Sequence, residues 1–575
     1  MSIWQQNYDP LNNVWLSASV AVIPIIVFFL SLMVFKLKGY TAAFIAVLLA
    51  TLIAIFVYHM PTSKALYSLL YGALFGLFPI GWIIIAAIFL YKLSIKSGYF
   101  EILKASIISI TPDQRFQVIL IAYCFGAFLE GAIGFGAPVA ITAALLVGIG
   151  IKPIQAAGLC LIANLPPATY GAVGIPVTAL ADLVNVDSIK ISTMSAIMLA
   201  PFSFFIPFLL VFIMNGLKGV KDAAPVCFVA GASFVVAKIL TASILGPQLP
   251  DITAGVFSVA CVGTFLKLWK PKAILNVESS ANQNSGSVAI KSQPPREADF
   301  ESADSKALID SNKVKLPYST KDILLSGAPF GILIVIIAIW TLPAFSALFK
   351  GDGALSGSVI TLSFSELAGI IQTQPIVNID TPVKSTFSIS LINAVGTAIF
   401  LTAFITIIVL KVSAKDALSA FTETINEMKI AIFTICLVLA FAYISNYSGI
   451  SATLALALSK TQHAFIFFSP IVGWLGVVLT GSVTSANLLF GSLQKLTANQ
   501  LGVNEVLLLA SNAVGGGTGK MISLQSIAVA ASVVGLVGRE SEVLRFTIKY
   551  SVILAIGIGI ANLITFYFIP WIIPT

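Results

Sequence analysis

Leu159-Cys160-Leu161-Ile162-Ala163-Asn164, with Gly171 beyond it, and Leu507-Leu508-Leu509-Ala510-Ser511-Asn512, with Gly519 beyond it, repeat one spacing in two distant parts of the chain. Each stretch interrupts an apolar segment. Upstream of each lies a second interruption: Leu129-Glu130-Gly131-Ala132-Ile133-Gly134-Phe135-Gly136-Ala137-Pro138 in the first half, and Leu479-Thr480-Gly481-Ser482-Val483-Thr484-Ser485-Ala486-Asn487 in the second. A helix broken at membrane depth frees backbone N–H and C=O groups, which are tolerated only against protein or a water-filled cavity. Paired polar breaks in two related halves point to the binding site of a secondary transporter.

The surroundings of these breaks set the class of protein. Of the 575 residues, 58% are hydrophobic and 10% charged, against about 25% charged in a soluble domain. Apolar runs near the length of about 20 residues that a spanning helix needs recur throughout. The expected spans are 14–35, 41–58, 66–91, 192–214, 225–246, 252–268, 323–348, 386–410, 430–448 and 550–572. The interrupted regions are 116–150, 154–181, 463–496 and 503–531. Residues 1–268 form an N-terminal transmembrane half, 269–321 a polar cytoplasmic linker rich in Ser, Asn, Gln and charge, and 322–575 a C-terminal transmembrane half. A second loop, 349–385, is long and only weakly apolar.

Lysine and arginine positions orient the segments. Lys36 and Lys38 close the first span and the tail before it has neither residue, so the N-terminus is expected outside. Counting onward puts Lys92, Lys96, Lys104, Arg115, Lys218, Lys221, Lys267, Lys270, Lys272, Lys411, Lys415, Arg539, Arg545 and Lys549 inside, and the C-terminus outside. The count closes only if 116–150 and 463–496 are re-entrant hairpins and 154–181 and 503–531 cross. The hairpins then enter from opposite faces. The expectation is an all-α polytopic membrane protein with two inverted repeats, re-entrant hairpins, discontinuous helices and about 12 crossings.

The net charge of +8 reflects basic loops beside spans and gives no nucleic-acid signal. Cys124, Cys160, Cys227, Cys261 and Cys436 lie in or beside apolar runs, an odd set that does not read as a disulfide framework. His59 and His463 are isolated, so neither a metal nor a cofactor is called for. Gly515-Gly516-Gly517-Thr518-Gly519-Lys520 resembles a phosphate-binding loop but has Val514 where a glycine is required and Met521 where Ser or Thr is required.

Glu130 is an acid at membrane depth, where carboxylates face a cavity or a partner. It reads either as a proton-carrying group or gate, or as a structural partner of the hairpin backbone or of a lysine. Gly131, Gly134 and Gly136 permit close approach and unusual dihedrals at that turn, as Gly481 and Gly519 do in the second half. Lys520 reads as a holder of a substrate carboxylate, as the partner of Glu130, or as a snorkelling lysine. Asn164 and Asn512 suit either a ligand or freed backbone. Ser482, Thr484, Ser485 and Asn487 form a polar cluster that serves a site or joins helices, and Ser523 and Gln525 could add donors.

Certain stretches carry a further signal. Trp4-Gln5-Gln6-Asn7-Tyr8-Asp9-Pro10, Ile110-Thr111-Pro112-Asp113-Gln114-Arg115, Phe128-Leu129-Glu130-Gly131 with Gly134-Phe135-Gly136-Ala137-Pro138, Phe441-Ala442-Tyr443-Ile444-Ser445-Asn446-Tyr447-Ser448-Gly449, and Thr518-Gly519-Lys520-Met521-Ile522-Ser523 together resemble the bacterial L-lactate permease family nearly end to end. The resemblance implies proton-coupled uptake of L-lactate and related 2-hydroxymonocarboxylates, D-lactate and glycolate included, across the inner membrane. The partners would be a small carboxylate, protons and the lipid bilayer, with a homo-oligomer left open. Moving a lactate anion inward against about 100 mV costs about 2.3 kcal/mol, which a co-transported proton removes. In the resemblance the second hairpin reads Gly-Ser-Asp-Thr-Ser-Ser-Asn, and here Val483 and Ala486 replace the aspartate and the second serine. Leu524 stands where the family has proline, and Pro166, Pro167 and Tyr170 also differ. These changes keep open a carrier for a different small mono- or dicarboxylate. A channel would need a continuous pore and an enzyme a reactive constellation; neither is legible.

Overall fold

The computed structural model describes residues 3–574 except 36, 135, 272–317, 350–352 and 378. The polar linker falls almost wholly outside the described residues, as do Lys36 and Lys272 of the orientation count and Phe135 of the first hairpin. Among the described residues, ten helices are long and apolar enough to cross a membrane. The chain is a multi-pass helical membrane protein. Trp15, Phe56, Phe205, Phe404 and Ile553 are exposed on its outside, as expected where the solvent is lipid rather than water.

Several elements differ from the sequence expectation. The two spans expected at 192–214 and 225–246 are both present, as the two arms of the stretch Ser188–Ile244. It reverses at Asn215 and Gly216, whose φ values are −141° and 61°. Thr193 Oγ1 and the Ala242 carbonyl lie 3.4 Å apart across the two arms. Helix Thr62–Lys96 exceeds its expected span and bends at Phe78, where backbone and helix part company before Pro79. Helix Ala414–Ser448 extends sixteen residues ahead of the span read at 430–448 (430 − 414). Its extension carries Glu423 and Glu427, both partly exposed. They pair with Lys96 at 2.8 Å and Lys92 at 2.5 Å.

The span read at 386–410 begins as a strand, Thr386–Ile389, and becomes helix only at Val395–Val409. The preceding loop is structured as well. Ile360–Ser363 pairs antiparallel with Thr386–Ile389, and Ile370–Gln372 lies between Trp4–Gln5 and Thr381–Pro382. These strands are too short to show a sequence period, so the all-helical expectation missed two small sheets. Trp4–Gln5 runs parallel to Ile370–Ile371. Beside it, Gln6 Nε2 donates to the carbonyls of Asn446 and Tyr447 at 3.0 and 2.8 Å. Thr453 Oγ1 donates to the Tyr8 carbonyl at 2.8 Å. Two motifs more than 430 residues apart in sequence therefore form one cap.

The halves interleave. Helix Thr62–Phe75 packs on Ala414–Ser448, Trp82–Lys96 on Val395–Val409, and Ser188–Ile244 on Glu505–Lys520. Apolar side chains gain little by leaving lipid for protein, so such packing relies on close approach through small residues. A Cβ at Gly72 would lie 2.5 Å from the Leu439 carbonyl oxygen, and one at Gly231 2.5 Å from that of Phe204. The densest seam joins Ala464–Thr480 to Glu505–Lys520. There a Cβ at Gly515 would overlap the Pro470 carbonyl, and one at Gly519 would lie 2.5 Å from the Trp474 carbonyl. The glycine run thus serves as a flat helix face.

Gly515→Ala is expected to destabilise the detergent-solubilised protein by about 1–3 kcal/mol through overpacking. Gly327→Ala, in a helix with open space around the added carbon, should be neutral or slightly stabilising. Thermal melting followed by size-exclusion chromatography separates the two; equal melting temperatures would contradict the seam.

Candidate functional site

Four interrupted segments build the site. The first hairpin descends as Gln114–Ala132, turns through Gly134 and Gly136 at φ 63° and 86°, and returns as Ala137–Gly148. Those positive φ values suit glycine, which has no Cβ to clash. The second descends as Ala464–Thr480, turns at Gly481, and returns as Val483–Leu501. Ser469 Oγ donates to Gln494 Oε1 at 2.8 Å across its arms. The first broken helix runs Pro153–Ala163 and Leu165–Ala168, unwinds over 171–174, and resumes as Ile175–Val184. The second runs Glu505–Lys520 and resumes as Leu524–Val533.

Asn164 and Asn512 were both expected just before unwound backbone. Asn164 closes helix Pro153–Ala163, but Asn512 lies inside Glu505–Lys520, and the break falls at Met521–Ser523. The backbone stays helical through the glycine run, which packs closely on helix Ala464–Thr480.

The tips meet the breaks. A Cβ at Gly134 would lie 2.8 Å from that of Ala172, and one at Gly481 2.8 Å from that of Gln525. Between them lies a cavity of about 580 Å³, counting the space at its mouth, lined by Glu130, Gly136, Gly171, Pro176, Ser482, Thr484, Lys520 and Gln525 among others. Four half-helices begin at this wall: Ala137–Gly148, Ile175–Val184, Val483–Leu501 and Leu524–Val533. Ser482 and Ser523 cap two of them by accepting from the amides of Ser485 and Ser526 at 3.2 and 3.3 Å. The other two carry no side-chain cap. Helix N-termini present partial positive charge, so the cavity wall favours an anion.

The charges in the wall are already paired. Lys520 Nζ donates to Glu130 Oε1. Glu130 is completely buried, whereas Lys520 keeps a small exposure toward the cavity. The second Glu130 oxygen, Oε2, has no hydrogen-bond partner. The lysine sits in the last turn of Glu505–Lys520, where the helix dipole supports a cation.

The other candidates divide between wall and scaffold. Ser482, Thr484, Gln525, Gly136 and Gly481 line the cavity with Lys520 and Glu130. Asn487 Nδ2 donates to the Pro176 carbonyl at 3.0 Å, and Asn487 Oδ1 accepts from Asn512 Nδ2 at 2.9 Å. Gln494 Nε2 donates to Asn512 Oδ1 at 3.1 Å. These amides tie the second hairpin to both broken helices. Ser523 caps the helix that follows it, Ser485 borders a separate apolar hollow beside Phe441, and Asn164 is buried with Nδ2 unpartnered. Gly131 abuts Asp251, and Gly519 abuts Trp474. Of the divergent positions, Val483 lines the cavity, Ala486 packs behind Gly476, and Leu524 is exposed.

Sequence reasoning missed Ser526, which lines the cavity, and a second buried ion pair. Lys238 Nζ lies 2.5 Å from Asp251 Oδ1, with both side chains at most 2% exposed. Lys238 stands inside an expected span, and a charge there was itself a signal.

Interrupted helices around a charged, anion-suited cavity within an apolar bundle define a polytopic membrane transporter. The chain belongs to the L-lactate permease family, whose sequence pattern matches residues 17–569. The L-lactate permease of Escherichia coli (strain K12) is 45% identical over 576 residues, 100% of both chains. Glycolate permease GlcA of the same strain is 47% identical over 568 residues, 99% of each. The L-lactate permease of Bacillus subtilis (strain 168) is 43% identical, covering 99% of this chain and 100% of its own. These relatives are permeases, so the chain is a transporter and not an enzyme.

Removing one member of a buried pair costs about 3–5 kcal/mol. Lys520→Met, which strands the wholly buried Glu130, should lower thermal stability more than Glu130→Gln, which leaves a lysine bordering the cavity. The double variant Glu130→Gln/Lys520→Met should recover most of the loss. Additive losses in a double-mutant cycle would show that the two side chains do not interact.

Proposed function

We propose that the chain carries out proton-coupled uptake of L-lactate and related 2-hydroxymonocarboxylates, with D-lactate and glycolate among them, across a bacterial inner membrane. Both termini then lie outside and the two halves are inverted. The observation that carries this reading is that Lys520, the cation facing the anion-suited cavity, is held by the protein's own carboxylate, Glu130. The names of the relatives supply the substrate class.

Competition for one lysine couples the two cargoes. A substrate carboxylate entering the cavity takes Lys520 from Glu130. Glu130, fully buried, then faces an unpaired charge that costs several kcal/mol to keep. It binds a proton instead, on a carboxylate that already has one unpartnered oxygen. The site gains one anion and one proton, and its net charge is unchanged. When the substrate leaves on the other face, Lys520 returns and Glu130 releases its proton. Ser482, Thr484 and Gln525 supply hydroxyl and amide groups for a 2-hydroxyl on the substrate.

A second reading has its own support. Val483 puts an apolar side chain in the cavity wall, which suits a larger or less hydroxylated carboxylate.

In proteoliposomes under an imposed pH gradient, labelled L-lactate, D-lactate and glycolate should accumulate, and a protonophore should abolish the accumulation. Glu130→Gln should keep substrate exchange and lose uphill accumulation; normal accumulation would remove Glu130 from coupling. Lys520→Ala should nearly eliminate binding, and Lys520→Arg should weaken it, because the guanidinium's planar fork differs from an ammonium point charge. An unchanged apparent affinity in Lys520→Ala would refute that role. Val483→Asp should shift preference toward lactate and glycolate in competition assays and alter the pH profile. Identical profiles would mean that Val483 only packs.

A further inference from the structure

Behind the cavity lies the Lys238–Asp251 pair, and its surroundings differ from those of a simple structural bridge. Asp251 is the second residue of helix Pro250–Leu268 and packs directly on Gly131, the neighbour of Glu130: a Cβ there would lie 2.8 Å from the Asp251 Cβ. One of its oxygens, Oδ1, meets Lys238 at 2.5 Å. The other, Oδ2, is buried with no hydrogen-bond partner. Glu130 Oε2 is in the same condition. Two buried acids on touching helices thus each keep one free acceptor, which buried polar groups rarely do.

Lys238 does not depend on Asp251 alone. Its Nζ also donates to the Pro166 carbonyl at 2.7 Å and lies 4.5 and 5.5 Å from the ring centroids of Tyr170 and Phe234. A carbonyl dipole and two ring faces attract the cation in addition to its counter-ion. When Asp251 is protonated, the Pro166 carbonyl and the two ring faces remain on Lys238 Nζ.

The titratable and charged groups around Asp251 are Lys238, Glu130, Lys520 and Tyr170. With Tyr170 neutral, two lysines and two carboxylates sum to zero. One substrate anion and one proton keep that sum at zero, whichever carboxylate holds the proton.

We propose that Asp251 is a second proton-binding position of the transport cycle, exchanging the coupling proton with Glu130 while Lys238 keeps its charge. The step is a single proton transfer. The O–H bond on Asp251 Oδ2 breaks, one forms on Glu130 Oε2, and Asp251 returns to the carboxylate paired with Lys238. The reverse transfer empties Glu130 when Lys520 comes back. This rests on the proton-carrying role of Glu130 proposed above.

The test uses the full-length chain in proteoliposomes, with Asp251→Asn and the charge-balanced Asp251→Asn/Lys238→Gln. The readouts are labelled L-lactate exchange at equal pH, accumulation under a gradient of one pH unit, and the pH profile of exchange. At one proton per substrate that gradient sustains about tenfold accumulation. Both variants should exchange substrate, show a ratio falling toward one, and lose one limb of the pH profile; Asp251→Glu should restore accumulation. Full accumulation in the double variant overturns the proposal. So does a parallel loss of exchange and accumulation in both variants, which marks a purely structural pair. Where Asp251→Asn fails to fold, the infrared carbonyl band of a protonated carboxyl, followed on substrate addition to Glu130→Gln, decides: a band that persists supports a second acid, and silence overturns it. If Glu130→Gln itself accumulates normally, the earlier reading fails, whatever the Asp251 variants do.

Discussion

Burying a charge without a partner is among the most expensive things a membrane protein can do, and the pairing of Glu130 with Lys520 answers that constraint across 390 residues of chain. Glu130 comes from the end of the first hairpin's descending helix and Lys520 from the second broken helix. Neither segment can place its charge correctly without the other. The pair therefore fixes the relation of the halves at the depth where the helices are interrupted. It also leaves the cavity charge-neutral while surrounding it with the positive ends of four half-helices.

A neutral cavity with a concealed cation can wait for an anion without holding one permanently. The remaining packing keeps this arrangement rigid. Asn487, Asn512 and Gln494 satisfy one another and the Pro176 carbonyl, so the second hairpin is pinned where it touches both breaks. Lys238 supplies a donor to the Pro166 carbonyl in the segment where the first helix is about to unwind. The freed backbone that would penalise a broken span is thus met by side chains from other elements.

Much of this was legible in the sequence, for physical reasons that also explain what was not. A glutamate and a lysine among apolar residues stand out, and glycine clusters mark turns, so both hairpins, both broken segments, Glu130 and Lys520 could be named. Which candidate partner each charge takes is a long-range matter, and the ion pair remained one option among several. Asn512 was misplaced because the spacing it shares with Asn164 suggested a break there, whereas its helix continues to Lys520. Lys238 was passed over within a span and Asp251 beside a proline at a helix start, where acids are commonplace. The strands around Ile370 are two to four residues long and carry no period to read.

The clasp between Trp4–Gln5 and Ile370–Ile371 bears on how the protein comes to be made. Its contacts span 365 to 445 residues, so the early strand leaves the ribosome long before its partners exist. Gln6 and Tyr8 meet Thr373 first, then the Asn446 and Tyr447 carbonyls, and Thr453 last. Closure of the cap is therefore a late event in biogenesis. It reports that the helix ending at Ser448, and with it much of the second half, has been inserted and folded against the first.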